Sequence, residues 1–110
     1  MTVAVVILNW NGKHLLEEFL PSIVAYSKEA AIYVADNAST DDSILFIASH
    51  YKDSVKLVKN TSNGGYAKGY NAALQHIKAD IYVLLNSDVE VTKNWLQPII
   101  KQFKEATNTA

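Results

Sequence analysis

Four polar segments of the chain could do chemistry, and each directly follows a short apolar run. They are rich in Asn, Asp, Ser and Gly, so together they offer amides, hydroxyls and a few carboxylates. The four are Asn9-Trp10-Asn11-Gly12, Asp36-Asn37-Ala38-Ser39-Thr40-Asp41, residues 60–65 and Asn86-Ser87-Asp88. Turn formation and helix capping are the alternative explanation for any one of them, because these side chains readily bond nearby backbone.

The apolar runs that precede these segments are rich in Val, Ile and Tyr and are typical of strands. The first and last are nearly continuous hydrophobics, which predicts central parallel strands buried on both faces. We predict strands over residues 3–8, 31–35, 55–58 and 81–85.

Helical patterns follow each predicted strand. In the first helix, Pro21 should divide the segment into two short helices because it lacks an amide donor. The second should begin around 40–43 and end near His50. Its inward-facing residues are predicted to be Ile44, Leu45, Ile47 and Ala48.

The third helix is predicted over about 66–77 and the fourth over about 94–103. Residues 105–110 should form a frayed, polar end. The apolar stripe of the fourth helix is Trp95, Leu96, Ile99, Ile100 and Phe103.

Strands that alternate with helices build a parallel sheet, so we predict an α/β fold with a mostly parallel sheet flanked by helices. Right-handed crossovers bring all carboxyl ends of the strands to one edge, where ligands bind. The four polar segments should therefore converge on one cleft. Asp88 is the strongest single candidate there, because it is a carboxylate that comes directly after a buried run.

The glycines argue against two other nucleotide-binding folds. A dinucleotide-binding fold needs Gly-x-Gly-x-x-Gly after the first strand, where this chain has only Gly12. Gly64 and Gly69 have the gap of a P-loop, but Tyr70 and Asn71 replace the required Lys and Ser or Thr. A receiver domain stays a weak alternative, because its first strand should be followed by acidic residues, whereas Asn9, Trp10 and Asn11 stand there.

Composition narrows the classes of partner. The 110 residues are 49% hydrophobic, which suits a single domain over 1–110. The formal net charge is -1, so the chain has no overall positive potential that would attract nucleic acid. The chain has no cysteine, so any metal must take oxygen or imidazole ligands. No apolar run approaches the roughly 20 residues of a membrane span, and no signal peptide is visible, so a cytoplasmic protein without a membrane span is expected.

The four polar segments, taken in order with their flanking residues, resemble the successive signatures of family 2 glycosyltransferases. The matching stretches are Val5-Val6-Ile7-Leu8-Asn9-Trp10-Asn11-Gly12, Asp36-Asn37-Ala38-Ser39-Thr40-Asp41-Asp42-Ser43, Asn63-Gly64-Gly65-Tyr66-Ala67-Lys68-Gly69-Tyr70-Asn71 and Leu84-Leu85-Asn86-Ser87-Asp88. The resemblance covers nearly the whole chain. It implies a three-layer GT-A fold of the nucleotide-diphospho-sugar transferase type, here truncated, and an inverting transfer from a UDP- or dTDP-sugar.

The resemblance also assigns residues to the nucleoside side of the donor. Leu8, Asn9 and Trp10 would line the nucleoside pocket, largely through backbone groups, although Trp10 could instead belong to the core. Asp36, with Asn37 beside it, would contact the base or ribose; capping of the next helix is the alternative, and both could hold together.

On the diphosphate side, Asn63, Lys68 and Asn71 match the family segment that approaches the nucleotide and its phosphates. Lys68 would supply positive charge there; a solvated helix residue is the alternative. Asn86 and Ser87 would also bind the nucleotide sugar. With Asp88 they occupy the place of the family's Asp-x-Asp motif, with Asn for the first Asp. Asp88 would be the ligand of Mg2+ or Mn2+, and the donor's phosphates would complete the coordination.

No residue is a defined candidate for the base that an inverting transfer needs. His14, His50 and His76 fall in predicted helices or at their ends and are expected to be surface or packing residues. The resemblance places the base and the acceptor-binding part beyond residue 110. The expected partners are a nucleotide-sugar donor and a glycan or lipid-linked acceptor in cell-surface polysaccharide or glycan synthesis.

Two further expectations follow from this interpretation, and one alternative to it stays open. Apolar surface that the rest of the enzyme would cover could form a homodimer. The full-length protein could be peripheral at the inner face of the membrane. A non-catalytic nucleotide or sugar-phosphate binding module is the alternative function.

Overall fold

A computed structural model of the chain describes residues 2–61 and 64–108, in which strands and helices alternate throughout. The strands are β1 (Val3–Asn9), β2 (Ala31–Asp36), β3 (Lys56–Lys59) and β4 (Ile81–Asn86). The helices are α1 (Lys13–Ala25), α2 (Ser43–His50), α3 (Gly65–Leu74) and α4 (Gln97–Asn108). Every strand end lies within one residue of its predicted position, so the order β-α-β-α-β-α-β-α is confirmed.

The four strands form one parallel sheet in the order β3-β2-β1-β4. Asn9 at the end of β1 is in register with Asp36 at the end of β2, and Leu8 is in register with Asn86 of β4. The chain adds β2 and β3 on one side of β1 and then places β4 on the other. The order of strands therefore reverses between β1 and β4, and crevices for ligands form at such switch points.

Helices cover both faces of the sheet, which confirms the three-layer α/β architecture. On one face, Val5 and Ile7 of β1 pack with Leu16 of α1, Ile47 of α2 and Leu96, which precedes α4. On the other face, α3 provides the cover. There the buried cluster consists of Ala4, Val6, Leu8, Ala35, Ala73 and Ile77.

The predicted double burial holds for β1 but is wrong for β4. All seven residues of β1 are buried, whereas β4 alternates, with Tyr82 40% and Leu84 47% exposed. β4 pairs only with β1 and is an edge strand. Because α3 lies across β1 and β2, one face of β4 is uncovered.

The expected break of the first helix at Pro21 is wrong, because α1 runs continuously from Lys13 to Ala25. Leu16, Leu20 and Ile23 are buried on both sides of the proline and hold the whole helix against the sheet. Pro21 removes one amide donor. The carbonyl of Glu17 that would accept it belongs to an exposed residue, so water can bond it.

In α2 the prediction of inward-facing residues is only partly right. Ile47 is buried, but Leu45 is 65% exposed and Ala48 is exposed as well. Ser43 and Ile47, four residues apart, form the buried stripe. Leu45 lies two positions from each, which turns it about 200° around the helix axis and away from the sheet.

Helices α3 and α4 differ from prediction at their ends. α3 ends at Leu74 rather than near 77, and α4 begins at Gln97 rather than 94. Asn94 has a φ of 63°, which no α-helix interior accepts, and Pro98 fits the first turn of the helix instead. Within its apolar stripe, Phe103 is 49% exposed.

The predicted frayed end is also wrong for residues 105–108, because α4 continues to Asn108. Lys101 and Glu105 form an i,i+4 ion pair of 4.0 Å on its surface, a spacing that supports helix. None of the helices within residues 2–61 and 64–108 has the length and apolar character needed to cross a membrane.

Candidate functional site

The polar segments meet at the carboxyl edge of the sheet, as the sequence predicted. Beyond the ends of the strands the backbone ladder continues by one step. The Asn37 amide donates to the Asn9 carbonyl over 2.8 Å, and the Asn60 amide donates to the Asp36 carbonyl over 2.8 Å. Residues from three segments far apart in sequence thus form one row across β1, β2 and β3.

Asp36 is the centre of a buried polar cluster. Its Oδ1 accepts hydrogen bonds from Asn9 Nδ2 at 3.0 Å and from Ser39 Oγ at 2.7 Å, and its Oδ2 accepts from the Ser39 amide at 2.9 Å. The residue exposes no surface. The carboxylate closes the turn that follows β2, whereas α2 begins at Ser43 after Asp42, so the alternative role of Asp36 as a cap for this helix is wrong.

Asn9 is equally buried, and only the nitrogen of its side-chain amide forms hydrogen bonds with described residues. Nδ2 donates to Asp36 and, over 3.4 Å, to Ser39 Oγ, whereas Oδ1 has no hydrogen-bond partner among the residues that the structure describes. A Cβ on Gly12 would lie 2.6 Å from that oxygen. Residue 12 therefore has to be glycine for Asn9 to hold this position.

The loop after β1 is fastened to the loop after β2. Asn11 has a left-handed φ of 49°, and its Oδ1 accepts from the amides of Thr40 at 2.7 Å and Asp41 at 3.2 Å. Trp10 precedes this turn and is 55% exposed, so its alternative assignment to the core is wrong. An exposed indole at the ligand-binding edge can stack against a flat ring.

Asp41 continues this loop into α2. Its carboxylate accepts from the Ser43 amide at 2.9 Å, from the Ser43 hydroxyl at 2.5 Å and from the Lys13 amide at 3.2 Å. Burial alone would raise the pKa of Asp41, but these hydrogen bonds outweigh it and lower the pKa. The charged form is therefore the one that the native loop stabilises.

Asn37, a predicted nucleotide-binding residue, is buried and holds α3 in place. Asn60 Nδ2 donates to Asn37 Oδ1 at 2.9 Å and to the Gly69 carbonyl at 3.1 Å, and Asn37 Nδ2 donates to the Gly65 carbonyl at 3.4 Å. The sequence placed residues 60–65 at this edge but assigned neither Asn60 nor Gly69 a role of its own. The position of Asn60 directly after β3 was the signal that could have indicated its role.

Two of the three residues predicted on the phosphate side, Lys68 and Asn71, do not join this cluster. Lys68 is exposed on α3, and Asn71 is exposed two residues beyond Gly69, which places it on the opposite side of the helix. Asn63 lies outside the described residues. Their assignment to the nucleotide sugar stays a prediction.

Asn86, Ser87 and Asp88 leave β4 beside the end of β1, at the switch point of the sheet. Asn86 and Asp88 are exposed, Ser87 is half-buried, and the Asp88 carboxylate has no hydrogen bond or ion pair with any described residue. Carboxylate, amide and hydroxyl oxygens are the hard ligands that Mg2+ and Mn2+ accept. Residues 2–61 and 64–108 contain no cluster of three or more His, Cys, Asp or Glu side chains suited to a metal.

Comparison with known proteins identifies the class to which this fold and site belong. The model of the family described as Glycosyl transferase family 2 matches residues 4–110. The chain belongs to glycosyl transferase family 2, as the sequence signatures predicted.

Individual relatives agree with this assignment. Polypeptide N-acetylgalactosaminyltransferase 11 of Xenopus tropicalis is 33% identical over 82 residues, covering 71% of this chain and 14% of that protein. Putative glycosyltransferase EpsE of Bacillus subtilis (strain 168) is 31% identical over 90 residues, covering 78% of this chain and 32% of that protein. The chain thus spans a third or less of the length of these relatives.

Solved structures confirm the GT-A fold. S. aureus TarS 1-349 in complex with UDP-GlcNAc superposes with a TM-score of 0.81 at 25% identity, over 96% of this chain and 32% of that one. The mannosyltransferase PcManGT from Pyrobaculum calidifontis, in complex with GDP-Man and Mn2+, gives a TM-score of 0.68 at 28% identity. That match covers 80% of this chain and 28% of that one.

Proposed function

We propose that this chain binds the nucleotide-sugar donor, a UDP- or dTDP-sugar, of a glycosyltransferase that transfers the sugar with inversion to an acceptor hydroxyl. Its 110 residues would be one donor-binding domain of a longer enzyme. The observation that carries the proposal is the position of Asp88. It is an exposed carboxylate at the carboxyl end of β4, beside the point where the strand order reverses.

The nucleoside would bind at the loops after β1 and β2. Trp10 offers an exposed ring for stacking against the base, and the buried cluster of Asn9, Asp36 and Ser39 fixes the loop from which it projects. Leu8 is 7% exposed beneath these loops, so its contribution would come from backbone groups. Asp36 accepts three hydrogen bonds and exposes no surface, so in this structure it fixes the loop, and its contact with the base or ribose stays a prediction.

The diphosphate would lie beside Asp88, with Asn86 as a second oxygen donor. A bound Mg2+ or Mn2+ would neutralise the charge that builds up as the nucleoside diphosphate departs. PcManGT, whose structure contains both GDP-Man and Mn2+, supports this choice of cofactor. Lys68 projects from α3, whose first residue is held by the Asn37 side chain, and would add a positive charge near the phosphates.

We further propose that the acceptor is a glycan or a lipid-linked sugar in cell-surface polysaccharide synthesis, and that the acceptor site and the catalytic base lie outside these residues. His14, His50 and His76 are all exposed. His50 ends α2 and His76 follows α3, which places both away from the carboxyl edge of the sheet. A homodimer through exposed apolar surface and a cytoplasmic location, peripheral to the membrane in the full-length protein, stay predictions.

Calorimetric titration of UDP and dTDP into the chain, with and without Mn2+, tests donor binding. We expect one of the two to bind in the presence of Mn2+, and Asp88→Ala to weaken that binding roughly tenfold or more through loss of the metal ligand. Asp53→Ala is the matched control, because Asp53 is an exposed carboxylate in the turn before β3, at the opposite edge of the sheet. The proposal is wrong if neither nucleotide binds, or if both variants bind as the native chain does.

A further inference from the structure

The side-chain oxygen of Asn9 is a buried hydrogen-bond acceptor with no partner among the described residues. Buried polar groups in native proteins are almost always bonded, because an unmade bond leaves the full cost of desolvation. The oxygen therefore marks a place where a donor is needed. Asn9 exposes no surface, so that donor has to come from inside the site or from a group at its border.

The orientation of the Asn9 amide is fixed by its neighbours. Nδ2 faces Asp36 Oδ1 at 3.0 Å, and a carboxylate oxygen can only accept. The nitrogen must therefore point toward β2, and Oδ1 lies against the position that a side chain on Gly12 would take. If the nitrogen and oxygen of the Asn9 amide exchanged places, Asn9 Oδ1 would face Asp36 Oδ1, and two acceptors would meet. The free acceptor on Asn9 therefore follows from the hydrogen bonds of the cluster.

Ser87 borders the same small space. A Cβ on Gly12 would lie 2.6 Å from Asn9 Oδ1 and 3.7 Å from Ser87 Oγ, and no side chain occupies that position because residue 12 is glycine. A serine hydroxyl rotates freely and can donate one hydrogen bond. Ser87 is half-buried, between the two exposed residues Asn86 and Asp88.

We propose that Ser87 is a positioning residue whose hydroxyl donates to Asn9 Oδ1 when the nucleotide and its cation occupy the site. The hydrogen bond would join the loop that carries Asp88 to the buried cluster of Asn9, Asp36 and Ser39. Ser87 would then act through Asn9 rather than by touching the donor. This inference rests on the proposed function, since it supposes that a nucleotide binds along this edge.

The test uses the 15N-labelled chain and follows the side-chain amide signals of Asn9 by NMR during titration with UDP and Mg2+. Ser87→Ala removes the hydroxyl, Ser87→Thr keeps it, and Ser49→Ala is a matched control on α2, where the Ser49 hydroxyl bonds only the Leu45 carbonyl. In the native chain we expect the Asn9 amide signals to shift on binding. In Ser87→Ala that shift should disappear and UDP should bind about three- to tenfold more weakly, the value of one hydrogen bond.

Ser87→Thr and Ser49→Ala should both retain the shift and the native affinity. The inference is overturned if Ser87→Ala binds UDP as tightly as the native chain, or if its Asn9 signals still shift, because the ligand itself would then be the donor. If the native chain fails to bind UDP at all, the proposed function fails for that nucleotide and the inference falls with it. The two failures are therefore distinguished by the native titration.

Discussion

Asn9 and Asp36 end adjacent parallel strands in register, and the Nδ2 of Asn9 donates to Oδ1 of Asp36 over 3.0 Å with neither residue exposed. This bond ties the loop after β1 to the loop after β2 at the edge where a donor nucleotide would bind. A buried polar pair of this kind stabilises only when every donor meets an acceptor. A substitution that breaks this hydrogen bond should therefore lower both the stability of the fold and the affinity for the nucleotide.

Asp36→Asn should destabilise the protein by about 2 kcal/mol. An amide nitrogen in place of one carboxylate oxygen sets a donor against either the Ser39 amide or Asn9 Nδ2, both of which need an acceptor. Urea unfolding measures the change. Asp53→Asn, at an exposed position, should stay within about 0.5 kcal/mol of the native chain, and equal effects of the two substitutions would contradict the account.

Ala38→Gly should stabilise the protein by about 0.5–1 kcal/mol. Ala38 has a φ of 60°, a left-handed conformation that is unfavourable for alanine and free of that cost for glycine. Ala48→Gly, on the exposed side of α2, should have the opposite sign and destabilise by about 0.5–1 kcal/mol. Thermal unfolding of both variants tests the contrast, and a loss of stability in Ala38→Gly would show that the left-handed turn is not strained.

Gly69→Ala should destabilise the protein by about 1–3 kcal/mol. The added methyl would lie 2.7 Å from Leu8 Cδ1 and 3.0 Å from Asn37 Nδ2, so α3 could no longer pack closely on the sheet. Gly64→Ala is the comparison, because the atoms nearest to its methyl would be those of the flexible Lys68 side chain. Unfolding curves that rank the two variants in the reverse order would exclude this close approach.

Acid should weaken the loop that enters α2. Because the pKa of Asp41 is lowered in the native state, the stability from its charge is present above the ordinary value of 3.8 and is lost as pH falls through the native pKa. Asp41→Asn should cost about 0.5–1 kcal/mol at pH 7, because the amide at this exposed position has one acceptor oxygen fewer for the bonds from Ser43 and Lys13. The difference from the native chain should shrink below pH 3; a constant difference would mean that charge is not its cause.

The sequence predicted the sheet well because β1 to β4 are short apolar runs bounded by polar residues, and this signal is local. It also predicted that the segments after the strands converge, since parallel topology requires it. Prediction from the sequence failed where the structure of an element depends on the elements packed around it. The apolar run of β4 could not show that only β1 would pair with it, and the buried residues around Pro21 override the expected break in α1.

The candidate site shows the same division between local and tertiary information. Residue types identified Asn9, Asp36 and Asp88 as residues of this edge. They could not show that the Asp36 carboxylate accepts its hydrogen bonds from Ser39 and Asn9. The role of Asn37 and Asn60 in holding α3 depends on distances between segments far apart in sequence. No pattern in one chain encodes such distances directly.

The location of the bound nucleotide tests the central claim most directly. Mn2+ added with saturating UDP should broaden, in the 15N spectrum of the chain, the amide signals of residues 9–12, 36–40 and 86–90 at the carboxyl edge of the sheet. Signals of residues 26–29 and 51–54, at the opposite edge, should remain sharp. Broadening centred on that opposite edge, or spread evenly over the chain, would contradict a donor site organised around Asp88.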